Sequence, residues 1–288
     1  RGYAYTGTVY REIGMQNSDF GGMENVGNTT ITTNRIMPFS RMTDPSFEYM
    51  VRVKVHEFYH NLNGSEVTGW SPFEIWLNEA VTVHIEEQYH RFLFGEEYGR
   101  LQTVLSLLSP GVGTFALDRG AGAMPVEPDG FNDPNELITA VTYVKAPEFV
   151  RMIETLMGKE LFVRGLDLYH RRYRHKNATG SNWLTAMEEV SGMDFSGMSQ
   201  VWLKKTGFPI VKAVPSYDTE KKVFSLSLVQ SPSQGGEIVW EFPFRMALVD
   251  KNGSDIIEIT QRIRKRDERI IIQDVEEPAY LSLNRGYS

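Results

Sequence analysis

The sequence predicts an α+β protein in two parts, a mostly helical stretch through residue 207 and a small β part over 208–288. Three observations carry this. Apolar residues recur at intervals of three and four through most of 44–205, the helical period. That period changes to two close to Thr206-Gly207-Phe208-Pro209, after which Phe224, Leu226 and Leu228 alternate with serines. Asn252-Gly253 between apolar runs is a hairpin signal.

The elements follow in order. Residues 29–36, rich in Thr and Ile, read as a strand. A helix over 44–63 has Asp44 as its cap, Pro45 in its first turn and Asn63-Gly64 at its end. Ser71-Pro72-Phe73-Glu74 is a capping box with proline at the first helical position, opening a helix over 71–94 that Gly95 closes. Further helices are expected at 96–108, 135–157, 159–174, 181–191 and 197–205, with Pro147 kinking or splitting the second of these. The Gly-, Pro- and Asp-rich stretch 109–134 reads as a long loop. Beyond residue 208, 256–260 and 269–272 add strands to a domain with no obvious chemical groups.

With 288 residues, one large or two unequal domains are expected. A formal charge of −7 and the lack of a basic patch argue against nucleic acid or an anionic membrane as the partner. No apolar run of about 18 residues is present to span a bilayer. There is no cysteine, so any metal site must be built from histidine and carboxylate, and the compartment leans to the cytoplasm. The chain opens on Arg1, which suggests a fragment or a processed product.

His56-Glu57-Phe58-Tyr59-His60 lies on the first helix of this scheme. Four residues is just over one turn, so both imidazoles leave one face and can share an ion, while Glu57 can reach a bound water without being a ligand. Glu79, nineteen residues after His60, sits on the helix opened by Ser71 and supplies a third ligand. Two histidines and a carboxylate leave a tetrahedral zinc one open position, as in catalytic sites. Glu86, two turns beyond Glu79, could accept a hydrogen bond from a ligand imidazole, or be a solvated helix charge. His84, His90, His170 and His175 lack such spacing and read as helix-surface residues.

These residues resemble the zinc aminopeptidases of the aminopeptidase N type, a gluzincin family, most closely the bacterial alanyl aminopeptidases. In that family HExxH is followed by the distal Glu at this interval, and a G-x-M-E-N motif lies upstream. Here Gly21-Gly22-Met23-Glu24-Asn25 is similar to that motif, thirty-two residues separating Glu24 from His56. Without the family, Glu24 in a Gly-rich loop reads as a turn residue. The resemblance implies that Glu24 pairs with a substrate's free α-ammonium group, and that Gly22 and Met23 offer backbone groups as an edge strand does. Tyr143-Val144-Lys145-Ala146 looks like the family's Y-E-K-G segment, which implies that Tyr143 hydrogen-bonds the oxyanion. Alone, Tyr143 would read as a core residue.

The resemblance extends through Gly207-Phe208-Pro209-Ile210-Val211 to Pro278-Ala279-Tyr280-Leu281-Ser282-Leu283. It implies a thermolysin-like catalytic domain over 1–207, its N-terminal part missing, and a β-sandwich domain over 208–288. Leu62, Asn63, Ala80, Val144 and Ala146 depart from the family pattern without removing a ligand or the base. Family members also carry N- and C-terminal domains that are not in this chain, so it reads as a fragment of a longer enzyme or a short relative.

The implied reaction is hydrolysis of the first peptide bond of a peptide with a free N-terminus. One zinc ion per chain would be held by His56, His60 and Glu79, with Glu57 as general base. The alternatives are a thermolysin-like endopeptidase, an epoxide hydrolase like the leukotriene A relatives, and an inactive fragment or binding scaffold.

Overall fold

A computed structural model describes residues 5–18 and 20–288 of the chain. It is an α+β structure. The first sheet has the order β1-β3-β2, built from β1 (Arg11–Met15), β2 (Gly22–Met23) and β3 (Asn28–Thr32). β3 runs parallel to β1 and antiparallel to β2, which leaves β2 at the sheet edge. The strand expected over 29–36 stops at Thr32, and the chain turns into the short helix α1 (Thr33–Ile36).

α2 (Asp44–His60) starts at the residue assigned from sequence as its cap, so the cap lies one residue earlier, at Thr43. Thr43 holds the extended cap conformation, and Asp44 with Pro45 lies inside the first turn, where an acid meets the positive end of the helix. Its buried residues Met50, Val53, Glu57 and His60 are spaced three, four and three apart, a single stripe. The helix ends at His60, short of residue 63, and Gly64 takes φ 111° to let the chain pass close to the His60 ring.

After β4 (Val67–Gly69), the capping box forms as read. Ser71 N donates to Glu74 Oε2 at 2.8 Å, and Phe73 N donates to Ser71 Oγ at 3.3 Å. A 3₁₀ turn over Pro72–Glu74 then feeds α3 (Ile75–Phe94), which Gly95 closes. Nearly every residue of α3 from Trp76 to Glu87 is buried, because α2, α4 (Glu96–Leu108) and α6 (Ala146–Met157) all pack on it. The stretch read as a loop contains a short helix, α5 (Thr114–Asp118). The helix expected over 135–157 is divided. A 3₁₀ turn (Pro134–Leu137) and a π-helical turn (Val141–Lys145) precede α6, and Pro147 sits in the first turn of α6, where its missing N–H costs nothing.

α7 (Lys159–Tyr173), β5 (Lys176–Ala178), α8 (Gly180–Ser191) and α9 (Ser196–Trp202) complete the helical part, β5 pairing with β4. Two three-stranded antiparallel sheets follow, β6 (Pro209–Asp218), β7 (Val223–Pro232) and β10 (Asp267–Ile272) in one, and β8 (Phe242–Val249), β9 (Asp255–Ile263) and β11 (Tyr280–Leu283) in the other. Phe224, Leu226 and Leu228 point inward, as their alternation predicts, against Trp240, Phe244 and Met246. β8 is buried almost throughout because α6 lies on it. The chain end returns to the helices, where Arg100 and Arg151 donate to the carbonyls of Gly286 and Tyr287. Among the described residues no helix is long and apolar enough to cross a membrane.

Three histidines expected on helix surfaces are interior. His84 is wholly buried and meets Glu154 at 2.6 Å, and His90 meets Glu48 at 3.0 Å. The charges around them on α3 suggest solvent in the sequence, yet Glu86, Glu87 and Arg91 find partners in Arg52, Thr103 and Glu96. His170 is also buried, its ring against Tyr169 and Tyr59, and neither ring nitrogen has a hydrogen-bond partner. Only His175 of the four is exposed.

Burial without a partner pushes His170 down to about 4, so it stays neutral in the folded chain where an unfolded imidazole would take a proton near 6.5. The unfolded state then binds more protons, and stability falls as pH drops from about 6.5 towards 4. The loss from this group is on the order of 3 kcal/mol. His170→Phe should remove that part of the acid dependence, read as the difference between variant and wild type in urea unfolding at pH 7 and pH 4. Parallel pH profiles would contradict it.

Candidate functional site

α2 and α3 lie side by side and bring His56, His60 and Glu79 together. His60 Nε2 is 3.0 Å from His56 Nε2, while Glu79 Oε2 is 3.1 Å from His56 Nε2 and 3.5 Å from His60 Nε2. The tautomers follow from the outer partners. His60 Nδ1 is 2.8 Å from the carbonyl of Asn63, which can only accept, so Nδ1 carries the hydrogen and Nε2 the lone pair. His56 Nδ1 is 3.0 Å from Glu86 Oε2 and is fixed the same way when Glu86 is ionised. Two lone pairs and a carboxylate oxygen therefore face one point, an arrangement that a cation satisfies and a hydrogen bond between the rings does not.

The electrostatics agree. Burial by itself disfavours an imidazolium, but hydrogen bonds and charge from Glu79 and Glu86 outweigh it and hold His56 well above its ordinary value. His60 is raised through Glu79 in the same manner, and the two histidines pull Glu79 far below the usual carboxylate range against its burial. Glu86 is likewise buried, yet Arg52 and His56 keep its pKa low. The centre attracts positive charge, and His56, His60 and Glu79 are a group that could hold a metal ion.

Two residues that hold this geometry carried no signal in the motif itself. The Asn63 side chain donates to the carbonyls of Leu77 and Asn78 and to Thr82 Oγ1, tying the end of α2 to α3 while its own carbonyl orients His60. Arg52, one turn before His56, pairs with Glu86. A basic residue four positions before the first histidine was the available cue.

Glu57 is buried beside Gly22 on the edge strand β2, and its Oε2 has no partner among the described residues. Burial, opposed by His56 and His60 and reinforced by Glu24 and Glu79, pushes Glu57 up to about 7. A β-carbon at position 22 would stand 2.5 Å from Glu57 Cδ, so a side chain there would displace this carboxylate. Glu24 follows on a turn anchored to α2 by Gly27 N donating to Asn61 Oδ1 at 2.9 Å. Its charge reaches Glu57, His60 and Tyr143. Met23 is 47% exposed at the strand edge. Tyr143, on the π-helical turn, stacks on His56 with ring centroids 6.3 Å apart. Burial and the carboxylates of Glu79, Glu24 and Glu57 drive its hydroxyl well above the ordinary value, so it remains protonated. A cavity of about 830 Å³ lined by Arg91, Arg151, Glu154, Lys159 and Arg245 lies elsewhere, and none of the site residues lines it.

Glu86→Gln keeps the shape of the side chain but removes the charge that steers His56. A ten- to hundredfold loss of metal affinity is expected, read by competition with a chromophoric chelator. Unchanged affinity would make Glu86 a bystander.

The family model described as the peptidase family M1 domain matches residues 2–202, and one described as a domain of unknown function with an Ig-like fold matches 207–288. The chain is 29% identical over 260 residues to aminopeptidase N of Escherichia coli, spanning 88% of this chain and 29% of that protein. It is 26% identical to the puromycin-sensitive aminopeptidase of Caenorhabditis elegans, spanning 95% of this chain and 29% of the relative. The crystal structure of Legionella pneumophila aminopeptidase A in complex with aspartic acid shares the fold. Its TM-score is 0.84 at 20% identity, over 96% of this chain and 30% of that one. The chain thus spans about 30% of the length of the relatives it matches, and by the match over 2–202 it belongs to peptidase family M1.

Proposed function

We propose that this chain carries the catalytic domain (1–207) and the following β-sandwich domain (208–288) of a zinc aminopeptidase acting on peptides with a free N-terminus. The supporting observation is the convergence of two imidazole lone pairs and Glu79 beside a buried carboxylate whose Oε2 has no partner among the described residues, and beside an edge strand that Glu24 follows. Ligand atoms bound at about 2.0–2.1 Å around a tetrahedral ion stand roughly 3.3 Å apart. The separations here, 3.0, 3.1 and 3.5 Å, fit an ion held by His56, His60 and Glu79. When bound, zinc supplies Lewis acidity, polarising a carbonyl and lowering the pKa of water.

The chain's own residues supply the rest. Glu57 Oε2 takes a proton from the attacking water and returns it to the leaving amine. Burial raises the proton affinity of this carboxylate, which favours its holding the proton between the two steps. Tyr143 keeps its hydrogen and donates it to the oxygen that gains charge in the transition state. Glu24 pairs with the α-ammonium group, and the exposed edge of β2 at Gly22-Met23 offers backbone groups to an extended substrate. A substrate extending past Glu24 would lose that pairing, which favours an exopeptidase over an endopeptidase.

Purified chain with its bound zinc measured should release chromophore from alanyl p-nitroanilide and spare the N-acetylated compound. Equal turnover of the two would refute the aminopeptidase reading, and zinc absent from folded protein would refute the metal. Glu57→Gln should retain metal and lose 10² to 10⁴ in kcat. Gly22→Ala acts by displacing Glu57 and touches no ligand, so it should lose about 10² in kcat with metal content intact. A variant as active as wild type would show that Glu57 does not need that strand.

A further inference from the structure

Tyr143 is carried by an irregular turn between Leu137 and α6. Val141–Lys145 is π-helical and runs straight into α6, with Ala146 N donating to Val141 O. Such a turn carries one residue more than an α-turn and persists where side chains fix it. Tyr143 faces His56, whereas Lys145, two residues on, points to the junction with the β domain.

There Lys145 is 3% exposed. Its ammonium lies 2.7 Å from Asp118 Oδ2, 2.9 Å from the Gly207 carbonyl and 3.3 Å from the Lys205 carbonyl, so its three hydrogens have three acceptors. It also lies 5.4 Å from the centre of the Trp240 ring. Asp118 is wholly buried, and its carbonyl accepts from Gln234 of the β7–β8 connection at 2.7 Å. Phe115 stacks on Phe208 with centroids 4.0 Å apart. Every contact of the ammonium is thus to the α5 end, to the linker at 205–207 or to the β domain.

We propose that Lys145 is a positioning residue for Tyr143. Its ammonium fastens the π-turn to Asp118 and to the linker carbonyls, so the attachment of the β domain fixes where the Tyr143 hydroxyl stands at the metal centre. This rests on the aminopeptidase reading for its kinetic consequence, but not for its structural one.

The test uses the full chain with Lys145→Met and Asp118→Asn together, which removes the pair without stranding a buried charge. Expected is a ten- to hundredfold fall in kcat on alanyl p-nitroanilide, with KM within threefold and metal content unchanged. In a Tyr143→Phe background the same pair of changes should cost less than threefold. Independently of turnover, the ¹⁹F resonance of 3-fluorotyrosine at position 143 in metal-free protein should move towards its solvent-exposed position. An equal fall in both backgrounds would overturn the proposal in favour of a merely structural ion pair, as would an unmoved ¹⁹F resonance. If wild-type chain turns over no substrate, the aminopeptidase reading fails and the ¹⁹F shift alone decides this one. Should the double variant not fold, Asp118→Asn alone is read by the same criteria.

Discussion

Two imidazole nitrogens 3.0 Å apart, each fixed as an acceptor by what its other nitrogen touches, form the constraint around which the helical part is built. Left without a cation, such a pair repels and is drawn to protons. It can be kept in place only by a scaffold stiffer than the repulsion. α2 and α3 are that scaffold. Asn63 bonds across both helices, and Arg52 with Glu86 braces the other ring. A buried charge is tolerable when every member of its network is satisfied. Here Arg52 pairs with Glu86, Glu86 accepts from His56 Nδ1, and the remaining demand falls where His56 Nε2 meets Glu79.

Glu57, next to this network, is left with one oxygen unsatisfied among the described residues. It shares the buried stripe of α2 with Met50, Val53 and His60, positions where an apolar side chain would stabilise the helix pair more. One carboxylate oxygen is instead kept from water with no partner, and the adjoining strand has given up its side chain at Gly22 to make room. Unsatisfied buried polar atoms are rare in native proteins, and one that lies beside His56, His60 and Glu79 is what the proposed role of Glu57 as a proton acceptor requires.

Much of this was legible because it is local. The capping box at Ser71 and the turn at Asn252-Gly253 depend on residues within a few positions, and the three-four spacing of α2 places Glu57 and His60 on one face whatever packs there. What could not be read is set by tertiary packing. The charges of α3 signal solvent, yet three helices cover it, which puts His84 and His90 inside. The π-turn before α6 has no sequence signature beyond Pro147, and the pairing of Lys145 with Asp118 spans twenty-seven positions of unremarkable sequence. The Thr114–Asp118 helix was hidden by flanking glycines that read as loop. Tyr143 and Glu24 lie on irregular or edge backbone, and only the resemblance to a known family singled them out.

The site is therefore assembled on two scales. The residues proposed as metal ligands come from adjacent helices joined by a short connection, so they converge once α2 and α3 pack. Glu24 follows the edge strand on a turn tied to the end of α2 by a bond between Gly27 and Asn61, and Tyr143 arrives on a turn secured through the junction with the β domain. Local opening follows the weakest attachment and spares the dense core. The groups proposed to handle the substrate are held by the short β2–β3 pairing, the Gly27–Asn61 bond and the buried Lys145–Asp118 pair, while His60 and Glu79 are buried between packed helices. On the proposed reading, metal binding and turnover would be separable: loosening the edge strand or the domain junction leaves the two histidines and Glu79 converged, and removes the groups assigned to the substrate.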